Sequence, residues 1–428
     1  MIATLRNAWR VDEIRKKLLF VMFMILLYRL GNAVTVPYVD TAMLRTYFEQ
    51  LGDTFLGLMN TMSGSALERA SIFALSIQPY INASIIIQLL TVAIPALERL
   101  QKEGGEEGKK KLEKVTRYST IAIAILQGYG YYVLMSNGNM LSANATGFWP
   151  PVVIVATFMT GSALLMWMGE QITEFGIGNG ISVILFISIV SRFPSQVGSM
   201  IRSVISKPGD WWIYVLMLLG ALAIIILIVI VTNAERRIPV QYSKRVVGRK
   251  MYGGQSTHLP MKVNMSGVLP IIFAQSIATI PSTITTFVPR WKDGWLMKLL
   301  DTNTIPYAIL YFLLIVFFSY FYSTVQFNPI EIANNLKKNG GFIPGFRAGK
   351  PTSEFIQRVL TKITLFGALY LAIIAITPII ISHFSATAKN SGISLGGTSI
   401  IIVISVALET IKQLESQLLM RHYKGFLE

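Results

Sequence analysis

Residues 118–169 read YSTIAIAILQGYGYYVLMSNGNMLSANATGFWPPVVIVATFMTGSALLMWMG, 52 residues without an Asp, Glu, Lys or Arg. A helix needs about 20 apolar residues to cross a bilayer. The stretch therefore holds two spans, parted by the Asn-, Gly- and Pro-rich turn from Ser136 to Pro151. A charged side chain at mid-bilayer costs at least ~2.5–3.5 kcal/mol, so other charge-free windows are spans by the same argument. They run 70–97, 211–234, 263–289, 302–330, 363–388 and 390–408. Window 175–191 is shorter but apolar, and Leu18 to Val36 is interrupted only by Arg29. The spacing predicts ten transmembrane helices.

Composition agrees. Of 428 residues, 53% are hydrophobic and 14% charged, against roughly 25% charged in soluble domains. Disorder, a collagen repeat and a disulfide-stapled secreted fold are excluded. The chain has no cysteine, which removes disulfides, thiolate metal sites and thiol redox chemistry. Its 38 basic and 22 acidic residues give +16, a balance that in a soluble protein suggests nucleic acid. Here the positions matter more. With ten spans, 28 Lys and Arg fall on the side of the termini, 9 on the other, and Arg29 within a span. Positive residues stay inside, so we expect a multi-pass cell-membrane protein with both termini cytoplasmic. The first apolar stretch lacks a small-residue cleavage pattern, so no cleavable signal peptide is expected.

Spans one to five and six to ten have similar lengths, with a break near 192–210. An odd number per half inverts the second half relative to the first. The expected fold class is an all-α polytopic membrane protein. Its ten transmembrane helices form two pseudo-symmetric five-helix halves, 1–195 and 196–428, around a central pore.

Ion-coupled transporters carry carboxylates or histidines inside their spans. Here Arg29 is the clear intramembrane charge, while Glu170, Glu174 and Glu409 sit at span ends. His258, His383 and His422 are too scattered for a metal site. Two phosphate-loop lookalikes, 345–350 and 104–109, lack the required spacing and the following Ser or Thr. The residues thus argue against an enzyme, and no cofactor or metal is expected. Residues 54–67, with Gly57 and Gly64, are apolar but too short to span, which suits a re-entrant half-helix. Pro79 then interrupts the next span early. Two long basic loops, 234–262 and 328–362, invite partners.

Nine ordered segments place the chain beside a known family. They are Tyr28-Arg29-Leu30-Gly31, Ser71-Ile-Phe-Ala74, Pro79-Tyr80-Ile81, Trp167-Met-Gly-Glu-Gln-Ile-Thr173, Gly176-Ile-Gly-Asn-Gly-Ile-Ser182, Gln255-Ser-Thr-His-Leu-Pro260, Phe327-Asn-Pro329, Gly396-Gly-Thr-Ser399 and Arg421-His-Tyr-Lys-Gly-Phe426. In order and spacing they resemble the SecY family of protein-conducting channels, over almost the whole chain.

The resemblance implies an hourglass pore sealed by an aliphatic ring, which falls on Ile77, Ile81, Ile181, Leu185, Ile272 and Ile402. Ile77/Ile81 and Ile181/Leu185 are i,i+4 pairs, so each pair shares a helix face. Periodicity alone does not separate these residues from ordinary core or lipid-facing aliphatics. Leu185 departs from the Ile more usual there. Residues 54–67 resemble a plug, including Phe55, Leu56, Gly57, Leu58, Met59, Met62 and Gly64; by residue type alone they also fit an interfacial amphipathic loop. Spans two and seven resemble a lateral gate with polar positions at Asn82, Gln88, Gln275 and Thr279, residues that equally suit ordinary interhelical bonding.

Loop residues Arg236, Arg237, Lys244, Arg245, Arg249, Lys250 and Arg347, with Lys337, Lys338 and Lys350, resemble a docking surface for the SecA ATPase and the ribosome. Positive-inside topology by itself also accounts for most of these charges. Ala348 and Ile330 depart from the family pattern, which often has Pro and Arg there. The implied function is passage of unfolded secretory preproteins and release of hydrophobic segments and signal peptides into membrane lipid. SecE-type and SecG-type small membrane subunits would assemble with the chain. The rival class is a secondary transporter of a small solute, which predicts a mid-membrane carboxylate or His.

Overall fold

The computed structural model describes residues 6, 8–51, 55–206, 211–242, 245–247, 250–252, 256–265, 267–281, 294, 304–384 and 397–424. Each apolar window carries a helix: Asp12–Ala33, Gln78–Ala93, Gly105–Asn137, Trp149–Phe175, Gly180–Val190, Trp211–Asn233, Leu269–Ala278, Ile305–Gln326, Lys350–Phe384 and Gly397–Lys424. Judged by length and hydropathy, 5 of the described helices can cross a membrane, or 6 when a bent pair is counted as one span. Two of the others fall short for local reasons. Helix Asp12–Ala33 carries the charges of its first turns. In Gly105–Asn137 a charged start, four tyrosines and Gln127 dilute the hydropathy.

Proline marks where the second apolar window becomes helical. Residues 70–77 are turns, and the helix begins at Gln78 with Pro79 in its first turn. The missing N–H of a proline costs nothing at that position, and its fixed φ suits helix entry. Pro79 therefore starts this helix instead of interrupting it. At the other end the axis bends by 105° across Ile94 into a second proline-led helix, Pro95–Lys102.

The chain divides into two compact units. The first comprises Met1–Tyr214, Thr279–Tyr307 and Ile379–Glu428, the second Val215–Ala278 and Ala308–Pro378. In the first, helix Gly105–Asn137 packs against both Gln78–Ala93 and Trp149–Phe175. Small residues permit the approach. A Cβ at Gly161 would overlap the backbone carbonyl of Ile72, so only glycine seats this helix on the 70–77 turns. Tyr131 and Phe158 meet beside it, ring centroids 5.3 Å apart, in a core that includes Leu67, Leu75, Met135 and Ile154.

In the second unit, Ser323 and Thr364 share a buried hydrogen bond of 2.9 Å between helices Ile305–Gln326 and Lys350–Phe384. Phe273 packs edge-on against Phe318 and Tyr322. Loop 234–262 adds strands that its charged sequence conceals. Strand β1 (Glu235–Tyr242) pairs antiparallel with β4 (Ser256–Lys262) and with β5 (Gly341–Phe342), and β2 (Arg245–Val247) pairs with β3 (Lys250–Tyr252). Along β1, Ile238 and Val240 are buried while Arg237, Pro239 and Gln241 are exposed. That is the period of two of a half-buried strand.

The packing at Gly161 gives a paired test. Gly161→Leu should lower the melting temperature of the purified protein, because overpacking costs about 1–3 kcal/mol. Gly220→Leu, where a Cβ meets nothing within 4 Å, should leave it unchanged.

Candidate functional site

The plug-like stretch folds as a helix from Phe55 to Met62, followed by turns that run to Ile77. Three non-glycine residues there, Ser65, Ala70 and Ser76, adopt positive φ, and Gly64 does so at φ 69. Such backbone needs hydrogen-bond partners at membrane depth, and burial in protein supplies them. Ser71 forms a bridge with Thr35. The Val36 N–H donates to the Ala70 carbonyl at 2.8 Å, and the Ile72 N–H to the Val34 carbonyl at 3.0 Å. The Tyr131 hydroxyl donates to the Leu67 carbonyl at 2.5 Å. Leu56 and Met59 are half-buried against the same core, and Met62 is buried.

Helix Gly180–Val190 lies behind the segment. A Cβ on Gly64 would stand 2.8 Å from both the Ser188 carbonyl oxygen and Ser191 Oγ, so the positive φ and the close approach both require glycine. The hydroxyl of Tyr28 lies 2.6 Å from Ser188 Oγ and donates to the Ser63 carbonyl at 3.3 Å. Arg192 Nη1 donates to Thr61 Oγ1 at 2.8 Å. Asn60 and Glu68 close the segment on itself: Asn60 Nδ2 donates to Glu68 Oε2 at 2.6 Å, and the Glu68 N–H donates to Asn60 Oδ1 at 3.1 Å.

The ring residues are placed by these same elements. Ile77 is the cap residue preceding helix Gln78–Ala93, and the Ile81 N–H donates to its carbonyl at 3.1 Å. Asn179 caps the next ring-bearing helix by accepting from the Ile181 and Ser182 N–H groups, as a short polar side chain does at a helix start. Helix Gly397–Lys424, which carries Ile402, packs against Gly180–Val190, which carries Ile181 and Leu185. Ile77, Ile81, Leu185 and Ile402 are buried and Ile181 is half-buried. Ile272 belongs to the second unit, where it is buried on helix Leu269–Ala278.

Of the gate positions, Asn82 and Gln88 lie on helix Gln78–Ala93 of the first unit. Gln275 lies on Leu269–Ala278 of the second, and Thr279 follows that helix. Gln275 and Thr279 are buried. Glu170, which the sequence leaves as a lone span-end carboxylate, pairs with Arg117 at 2.8 Å. The pair is partly exposed, so it adds little stability.

Of the residues expected in docking, Arg236 and Arg237 stand exposed on β1, opposite Met261 and Pro260, and Arg237 Nε meets Glu235 Oε1 at 2.7 Å. Arg347 is exposed, and its carbonyl accepts from Thr352 Oγ1 at 2.7 Å. The backbone of Arg245 lies in β2 and that of Lys250 in β3. Thr54, Lys244 and Arg249 lie outside the described residues, as do the side chains of Phe55, Leu58, Arg245 and Lys250. The two basic loops are one body. Gln241 pairs with Phe342 across β1 and β5, and Ile238, Val240, Met261 and Ile343 form a common core with Ile356 and Leu360. No motif announces this. The alternation at Ile238 and Val240 is its trace in the sequence.

Solved structures share this architecture. A SecY protein whose plug domain stabilises the closed state of its translocation channel matches with a TM-score of 0.66 over 94% of this chain and 92% of that one, at 18% identity. The Sec61 channel of a canine ribosome-channel complex matches at 0.59 and 16% identity, with the same coverage. The fold is thus that of the protein-conducting channels. Residues 71–411 match the SecY family model. The chain is 45% identical over its full length to the protein translocase subunit SecY of Streptomyces coelicolor, and 42% identical to that of Mycobacterium tuberculosis, covering all of each. The chain belongs to the SecY family. It is a channel subunit and not an enzyme, and none of these relatives is a small-solute transporter.

The shared loop core predicts a proteolytic effect. Ile343→Asp places a charge in a site that is 2% exposed. It should raise the initial rate of trypsin cleavage between Lys337 and Lys350 by about tenfold or more, since local opening controls such cleavage.

Proposed function

We propose that this chain is the pore-bearing subunit through which unfolded secretory polypeptides cross the membrane, with hydrophobic segments released laterally into lipid. The observation that carries this reading is the 55–77 segment. It is a stretch free of intrinsic membrane-spanning length, folded back among the first unit's helices and buried there. In this reading it is the plug, as the plug domain of the similar SecY protein stabilises that channel's closed state. Ile77, Ile81, Ile181, Leu185, Ile272 and Ile402 form the ring. An aliphatic constriction offers a hydrated ion no partners and stops leakage by dewetting, while its side chains can part around a moving chain. The halves 1–195 and 196–428 are the two bodies flanking the pore. Asn82, Gln88, Gln275 and Thr279 line a gate held by weak polar contacts.

The chain has no ATP-hydrolysing machinery, so the driving force comes from partners. A ribosome is one, as for the Sec61 and Ssh1 channels that are similar in structure. The SecA ATPase is the other. SecE-type and SecG-type subunits complete the assembly, and the loops that carry Arg236, Arg237 and Arg347 face the cytoplasm with both termini. A zipped, basic loop body presents positive charge on a rigid base, which suits rRNA phosphate and acidic protein surfaces.

Two experiments test these assignments. Ile81→Ser and Ile402→Ser should each raise basal ion conductance in planar bilayers several-fold; unchanged conductance in folded, monodisperse protein would remove them from the ring. Arg347→Glu should lower SecA-driven translocation into proteoliposomes by about tenfold, the scale of one reversed interfacial charge, and undiminished transport would strike it from the docking surface.

A further inference from the structure

Two side-chain contacts, one from a hydroxyl and one from a guanidinium, reach the C-terminal end of helix Phe55–Met62 from outside it. Ser188 Oγ donates to the Ile184 carbonyl at 2.7 Å. With its proton committed there, Ser188 accepts from the Tyr28 hydroxyl 2.6 Å away. That hydroxyl has one proton and a second acceptor at hand, the Ser63 carbonyl at 3.3 Å. Tyr28 thus joins helix Asp12–Ala33, helix Gly180–Val190 and the end of the plug helix through one phenol group. Its ring is fixed independently, stacked on Phe73 at 5.8 Å.

A second contact repeats the logic. Thr61 Oγ1 donates to the Gly57 carbonyl at 2.9 Å, so it accepts from Arg192 Nη1 at 2.8 Å. The guanidinium stands at the last turn of helix Phe55–Met62, where a cation is favoured by the helix dipole. Glu68 is within electrostatic reach of it. Both contacts come from side chains outside the plug, and both end on its C-terminal turn.

We propose that Tyr28 and Arg192 form a two-point latch that holds helix Phe55–Met62 in its closed seat and sets how often the plug leaves it. The proposal rests on the plug reading above and adds the residues that regulate it. These are positioning residues. Tyr28 acts through Ser188 and Ser63, and Arg192 through Thr61, and neither needs to touch a translocating chain.

The absence of cysteine supplies the test. Met62→Cys places a single thiol at a site that is 8% exposed, and maleimide labelling of the full chain in proteoliposomes reads its release. Tyr28→Phe keeps the ring stack and should speed labelling about fivefold, which is the change that one hydrogen bond of ~1 kcal/mol supports. Arg192→Gln should do the same, while Arg192→Lys, which keeps the cation, should stay close to the parent rate. Equal melting temperatures would confirm that the variants are folded. Unchanged labelling in both Tyr28→Phe and Arg192→Gln overturns the latch. Deleting residues 55–62 and measuring ion conductance separates the two ideas. A raised conductance with unchanged labelling leaves the plug reading standing and the latch refuted. An unaltered conductance refutes the plug reading itself.

Discussion

Hydrocarbon offers a peptide group no hydrogen-bond partner, and most of this structure follows from that one fact. Each apolar window satisfies its own backbone by becoming helical. The chain between Met62 and Gln78 does not, and it includes positive-φ residues and turns. Such backbone survives only where protein replaces water. Here Tyr131, the Thr35–Ser71 bridge and the Val34 and Val36 main chain supply the missing partners. The irregular segment is thereby tied to the helices around it.

The same constraint explains why small residues sit where they do. Gly161 lets a helix rest directly on the Ile72 carbonyl, and Gly64 lets the plug turn rest on the backbone of Ser188. In each case backbone meets backbone, an approach that side chains would prevent. In the proposed plug reading, a segment that leaves and returns gains from this arrangement. Its seat is defined by shape and by a few hydroxyl and guanidinium bonds, each modest, instead of one large apolar contact.

Charge is organised by a different force. The basic loops were legible as positive-inside residues and as a resemblance to known docking loops, but not as a single body. Arg236 and Arg237 disguise β1, and Pro239 is a residue that ordinarily argues against a strand. Ile238 and Val240 alone keep the alternation, and their partners Met261 and Ile343 are far away in sequence. Long-range pairing leaves little local trace, so the zipping of β1 to β5 had to be seen. The ring and plug residues are legible only through family resemblance. Periodicity could not separate Ile81 or Ile402 from any other buried aliphatic, because all of them repeat at helical spacing.

The sequence by itself determined the membrane class and the positions of the apolar helices, and it carries no motif of catalytic groups. These depend on local composition and on the cost of charge in lipid, which each residue carries with it. Tertiary structure alone decided that Pro79 begins a helix, that Glu170 is paired with Arg117, that two loops share one sheet, and that Tyr28 and Arg192 converge on the turn at Met62. Each of these depends on which distant residues meet. A hydroxyl or guanidinium has no meaning for the plug until folding brings residues more than a hundred positions apart within hydrogen-bond reach.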